Sequence, residues 1–133
     1  MKRRLGSFAE FKEFTLAVAR GERTVDPKAP KIWYERAAGA AEPKGGVRFR
    51  SLEAGAKLLS AKNRALLRTI AKRKPASISE LASMTGRAEQ NVLRTLNKLA
   101  SAGVVRLAKG VGRARRPVLT ARKIHFEIDL AGD

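Results

Sequence analysis

The part of this chain that most restricts its fold lies between residues 77 and 123, where ISELASMTGRAEQNVLRTLNKLASAGVVRLAKGVGRARRPVLTAR packs several punctuation marks into a short span. Val92, Leu96 and Leu99 recur at i, i+4 and i+7, so they share one face of a helix. Gly86 stands before that helix and Gly103 stands after it, where the chain has to turn. Two short β-prone runs follow, separated by a loop crowded with arginine.

This order predicts a short helix, a tight turn, a longer helix and a hairpin. Ser79 is expected to cap the short helix, from Glu80 to about Met84, with Leu81, Ala82 and Met84 inward. The longer helix is expected from about Ala88 to Ala102. Strands are expected at Val104–Leu107 and Val118–Thr120. The fold class that results is mainly α with a small β-hairpin wing, a winged helix-turn-helix carrying an N-terminal helical extension. Such a unit offers one helix to a DNA groove and a basic hairpin to the backbone beside it.

Charge agrees with that reading through its placement more than its total. The 133 residues carry 29 Lys and Arg against 12 Asp and Glu, a formal net charge of +17. Residues 60 to 123 hold 16 of the basic side chains and 2 of the acidic ones, so the excess is concentrated on the helix-turn-helix. A compact domain repels itself at such a charge unless a polyanion offsets it. The 44% hydrophobic content is enough for a core, which excludes a disordered tail. No cysteine is present, which removes disulfides, thiolate metal sites and cysteine nucleophiles. Lys2, Arg3 and Arg4 are not followed by an apolar run of signal length, and no segment is apolar for membrane-spanning length; a cytoplasmic, nucleoid-associated protein without a membrane partner is expected.

Upstream, Ser7 and Glu10 have capping-box spacing, predicting a helix from about Phe8 to Arg20 that Gly21 ends. Phe8, Phe11, Phe14, Leu16 and Val18 spread around this helix, which calls for a covering surface, either the winged domain or a second subunit; because regulators of this kind are often two-fold symmetric, a homodimer is expected. Residues 22 to 48 hold Pro27, Pro30, Pro43 and the Gly45-Gly46 pair and read as linker. Within it, Lys31-Ile32-Trp33-Tyr34 is an apolar island read as an arm that packs on the domain. Val47–Phe49 is read as a short strand, Ser51 as the cap of a helix over Leu52–Leu59, and Ser60 as the cap of a helix over Ala61–Arg73 with Leu66, Leu67 and Ile70 on one face. Residues 1–50 thus form an extension for dimerisation or partner contact, and residues 51–130 a DNA-binding domain.

With the apolar row of the long helix inward, Gln90, Asn91, Arg94 and Lys98 face outward, joined by Arg87 from the turn. Arg matches the acceptors of guanine, and Asn or Gln can pair with adenine. Lys109, Arg113, Arg115 and Arg116 belong to the hairpin loop and suit phosphates or a minor groove. The alternative for each is a solvated surface; together they make the candidate DNA-binding set. Enzyme chemistry, a cofactor and a metal find no support: His125 is alone in an alternating run from Ile124 to Leu130, the GVG of the wing lacks a strand-to-helix context, and carboxylates are scattered. An RNA-binding or ribosome-associated protein is a rival, yet the basic region has no aromatic platform before Phe126.

LASMTGRAEQNVLRTLNKLASAGVV resembles the core of MarR-like winged helix-turn-helix regulators in its LA, turn Gly, V-x-R-x-L-x-x-L and A-G-hydrophobic pattern. The N-terminal helix, the PKIWY arm, the FRSLEAGAKLLS segment and the closing HFEIDL resemble a subgroup of DNA-binding proteins that includes antitoxins of toxin-antitoxin pairs. The resemblance implies a sequence-specific regulator of duplex DNA that represses its own operon, and as a second possibility an antitoxin whose N-terminal region neutralises a toxin. Two positions depart from the pattern: Arg87 where an apolar residue is usual, and Ala88 where Ser or Thr usually caps the recognition helix. The stretch from Glu35 to Arg50 is longer than the family's connection and has no assigned role.

Overall fold

The computed structural model describes residues 30–128, 130 and 131. The helix expected over Phe8–Arg20, its Ser7/Glu10 box and the dimer and toxin contacts expected of that region lie outside the described residues.

Helices form where caps and apolar spacing coincide. Helix α1 (Leu52–Leu58) starts at Ser51, whose side chain accepts from the Ala54 N–H at 3.0 Å, and α2 (Ala61–Arg73) starts at Ser60, which accepts from Asn63. Lys72 and Arg73 sit in the last turn of α2 beside its negative dipole end. Helix α3 (Ile78–Thr85) begins earlier than expected, because the cap is Ser77 and not Ser79. Ser77 has extended backbone and accepts from the Glu80 N–H at 3.0 Å, while the Glu80 carboxylate accepts from the Ala76 N–H at 3.4 Å. One orphan donor of the first turn and the N–H of the residue before the cap are thereby satisfied, and Ser79 is left exposed in the first turn. Gly86 ends α3 with φ of 69°, donating its N–H back to Ala82. Helix α4 (Glu89–Ser101) follows at once, with Ala88 at its start making no side-chain cap bond.

Two antiparallel two-stranded sheets complete the fold. Strand β1 (Lys31–Arg36) pairs with β4 (Ala121–Glu127), with Lys31 opposite Glu127 and Tyr34 opposite Ile124. Strand β2 (Val105–Lys109) pairs with β3 (Arg115–Leu119), with Val105 opposite Leu119 and Lys109 opposite Arg115. The helices and the β2–β3 hairpin agree with the coarse expectation of helices plus a hairpin. Three details do not. The second hairpin strand begins at Arg115 rather than Val118. The run of strand beyond Ala121 starts earlier and ends at Glu127. Val47–Phe49 is not a strand: its backbone meets the end of α4 through a single bond from the Arg48 N–H to the Ala102 carbonyl, with no ladder to join.

One core unites these pieces. Leu66 and Ile70 of α2, Leu81 and Ala82 of α3, Val92, Leu96 and Leu99 of α4, and Val104 and Val105 are buried together with Tyr34, Val47, Phe49 and Ala121. Phe49 packs on Phe126 with ring centroids 5.5 Å apart. The arm expected at Lys31–Tyr34, within residues read as linker, does pack on the domain: it belongs to a strand paired with β4, and Tyr34, Val47 and Phe49 join the core. Gly103 holds the junction between α4 and β2. Its φ is 86°, and a Cβ there would overlap the carbonyl oxygen of Gly46. Only glycine combines that backbone with so close an approach. Thr120 closes the same corner, its hydroxyl donating to the Gly103 carbonyl.

Candidate nucleic-acid interface

Helix α4 separates its faces sharply. Val92, Leu96 and Leu99 are 0% exposed, which presses one side of the helix into the core against α3 and β2. Helical periodicity then sends Gln90, Asn91, Arg94 and Lys98 outward, and all four are exposed. Arg94 donates to the Asn91 side chain at 3.4 Å, a long surface contact that leaves most of its donors available. Glu89 is the one carboxylate on α4, in the first turn, where it complements the helix dipole. Leu93 is 41% exposed on the flank that faces the hairpin.

Hairpin and helix share an open cleft of about 500 Å³, lined among others by Glu89, Leu93 and Asn97 of α4 and by Arg113 and Arg115. The cationic hairpin and the outward row of α4 are thus neighbours on one side of the molecule. Arg113 lies in the turn and is exposed. Arg115 and Arg116 are exposed too, but they sit on strand β3 and not in a loose loop, so their directions are set by the ladder. Lys109 and Arg115 are directly opposite across β2 and β3. Two like charges at such a position destabilise a ladder. No described ion pair relieves either of them.

Arg87 does not belong to this surface in the way its position in the turn suggested. Its side chain is partly buried and turns back between helices, donating to Asn63 at the start of α2 at 3.5 Å and to Thr95 of α4 at 3.3 Å. Its Nε is buried with no hydrogen-bond partner. The guanidinium ties α4 to α2 beneath the outward row. A polar helix face cannot reveal this, because the partner Asn63 lies 24 residues away in sequence. Three further cations, Arg48, Arg50 and Lys57, stand on the opposite flank of α4 and were not among the sequence candidates. Only their place before and within the helix that Ser51 caps could have drawn attention to them.

Among the described residues no group of three or more His, Asp or Glu side chains comes together as a metal site, and no helix is long and apolar enough to cross a membrane. His125 is exposed on β4, opposite Trp33.

The chain belongs to the HVO_A0114 family, whose model matches residues 58–126, from the end of α1 through β4. No curated protein and no solved structure matches it.

Proposed function

We propose that this protein is a winged helix-turn-helix regulator that binds duplex DNA, with α3 and α4 as the helix-turn-helix and β2–β3 as the wing. The observation that carries the reading is the division of α4. One row is wholly buried in the core, and the opposite row offers Gln90, Asn91, Arg94 and Lys98 next to a hairpin bearing Lys109, Arg113, Arg115 and Arg116. These are the side chains that match base edges and phosphates. In the proposed complex α4 enters the major groove, where Arg94, Gln90 and Asn91 read bases, while the wing arginines meet the flanking backbone or minor groove. The MarR-like resemblance supplies the biological setting: a homodimer on a two-fold operator, repressing its own operon by occluding the promoter.

The test is competition at fixed salt between a duplex from the region upstream of the protein's own reading frame, a random duplex and an RNA hairpin, read by fluorescence anisotropy. The expected order is own duplex, random duplex, RNA. Preference for the RNA hairpin would assign the basic surface to the rival ribosome-associated class.

A further inference from the structure

On the flank of α4 away from the hairpin lies an open groove of about 860 Å³, bounded by α1, the segment leading into it and the C-terminal half of α4. Phe49, Leu58 and Ala102 contribute its apolar surface, and Arg48, Arg50, Lys57 and Lys98 its cations. All four cations are exposed. None forms an ion pair with a described residue: the described pairs, Lys31–Glu127, Arg36–Glu42 and Arg122–Glu35, all involve β1, β4 or the turn after β1. Glu53, the only carboxylate of α1, sits in its first turn and does not line the groove.

One of these cations, Arg48, is anchored in place. The Arg48 N–H donates to the Ala102 carbonyl at 2.9 Å, fixing the segment to the end of α4. The Arg48 guanidinium donates to the carbonyls of Lys44 and Gly46 at 3.2 and 3.4 Å, and Phe49 beside it is buried against Phe126. Lys98 belongs to this groove and also to the outward row of α4, one turn beyond Arg94. The groove is therefore a continuation of the surface assigned to DNA above.

We propose that the groove seats a second stretch of the same duplex's phosphodiester backbone, so that the DNA footprint runs from the hairpin across Arg94 and Lys98 to Lys57, Arg50 and Arg48. This rests on the DNA-binding reading and extends it to the stretch between residues 35 and 50 that had no assigned role. A polymer of phosphates fits better than a small organic anion. A site for a small anion gathers a few polar groups within a largely enclosed apolar pocket, whereas these cations are exposed and line an open groove. Duplex DNA presents a negative charge about every 1.7 Å along its axis, which suits a string of separate cations.

The experiment titrates the full chain and its Arg48→Gln/Arg50→Gln/Lys57→Gln variant against a labelled mixed-sequence duplex of about two helical turns, from about 50 to about 200 mM salt. Each phosphate contact contributes about 0.9 to the slope of log K against log salt, so the triple variant should lower its steepness by about 2.7 with an unchanged melting temperature. Arg50→Gln and Lys57→Gln alone should each lower it by about 0.9, which covers the case of a triple variant that does not fold. A wild-type slope retained in the triple variant, or in both single variants where the triple does not fold, overturns the inference while the DNA reading stands; a groove serving a small organic anion would give that result. A wild-type protein that binds the duplex without salt dependence, or not at all, overturns the DNA reading and this inference with it.

Discussion

Arg87 and Arg94 are both arginines near the start of α4, but the structure gives them such different surroundings that, on the proposed DNA-binding reading, one substitution should disturb folding and the other binding. The Arg87 guanidinium makes two bonds to Asn63 and Thr95, at 3.5 and 3.3 Å and partly buried. Bonds from charged donors contribute about 1.5–3 kcal/mol each at good geometry, and these long ones belong well below that range. Against them stands the buried Nε with no partner, whose desolvation Arg87→Ala relieves. The net expectation is a loss of about 1 kcal/mol, or a fall of about 4–8 °C in melting temperature for a domain near 100 residues. Arg94→Ala removes only an exposed 3.4 Å contact to Asn91, so stability should stay within about 0.5 kcal/mol, while binding to the preferred duplex falls by about 1–3 kcal/mol. Urea denaturation and anisotropy on the same protein preparations measure both quantities. A double-mutant cycle with Thr95→Val isolates the inter-helix bond. An Arg87→Ala protein that melts like wild type yet loses duplex binding would refute the assignment and return Arg87 to the DNA surface.

Two further substitutions test the local geometry. Ser77→Ala should cost about 1 kcal/mol by removing the cap of α3, whereas Ser79→Ala should leave the unfolding free energy from urea denaturation within about 0.5 kcal/mol of wild type; the reverse order would restore Ser79 as the cap. Arg115→Thr removes one of two opposed cations on the hairpin, so it should raise stability by a few tenths of a kcal/mol while flattening the salt slope of duplex binding by about 0.9; a fall in melting temperature would show that the pair is not repulsive.

The helices were legible because their signals are local. Ser51 and Ser60 bind N–H groups three residues on, and Val92, Leu96 and Leu99 announce the inward face of α4 by spacing alone. Ser77 was legible in principle too, since Ser77 and Glu80 have capping-box spacing, but Ser79 stands one residue closer to the apolar run and drew the assignment. Strand β1 was hidden because it lies among prolines and glycines and its partner is β4, at the far end of the described chain. Arg115 and Arg116 read as loop because charge masks a strand whose apolar contacts, at Pro117 and Leu119, come only every second residue. Of the candidate site, the exposed row of α4 could be read from periodicity. The inward turn of Arg87 and the cations of the groove could not, since each depends on a contact between elements distant in sequence: Asn63 for Arg87, and the end of α4 for Arg48.

The pairing of Lys31 with Glu127 also orders events in time. Contacts among α2, α3 and α4 span short stretches of chain and form early, whereas β1 must wait for β4, which is synthesised after all of these helices. Until β4 emerges, Tyr34 lacks the strand it lies against, and the helices stand as an incomplete nucleus. A released chain truncated before residue 121 should accordingly keep its helices and leave the β1 segment open to proteolysis.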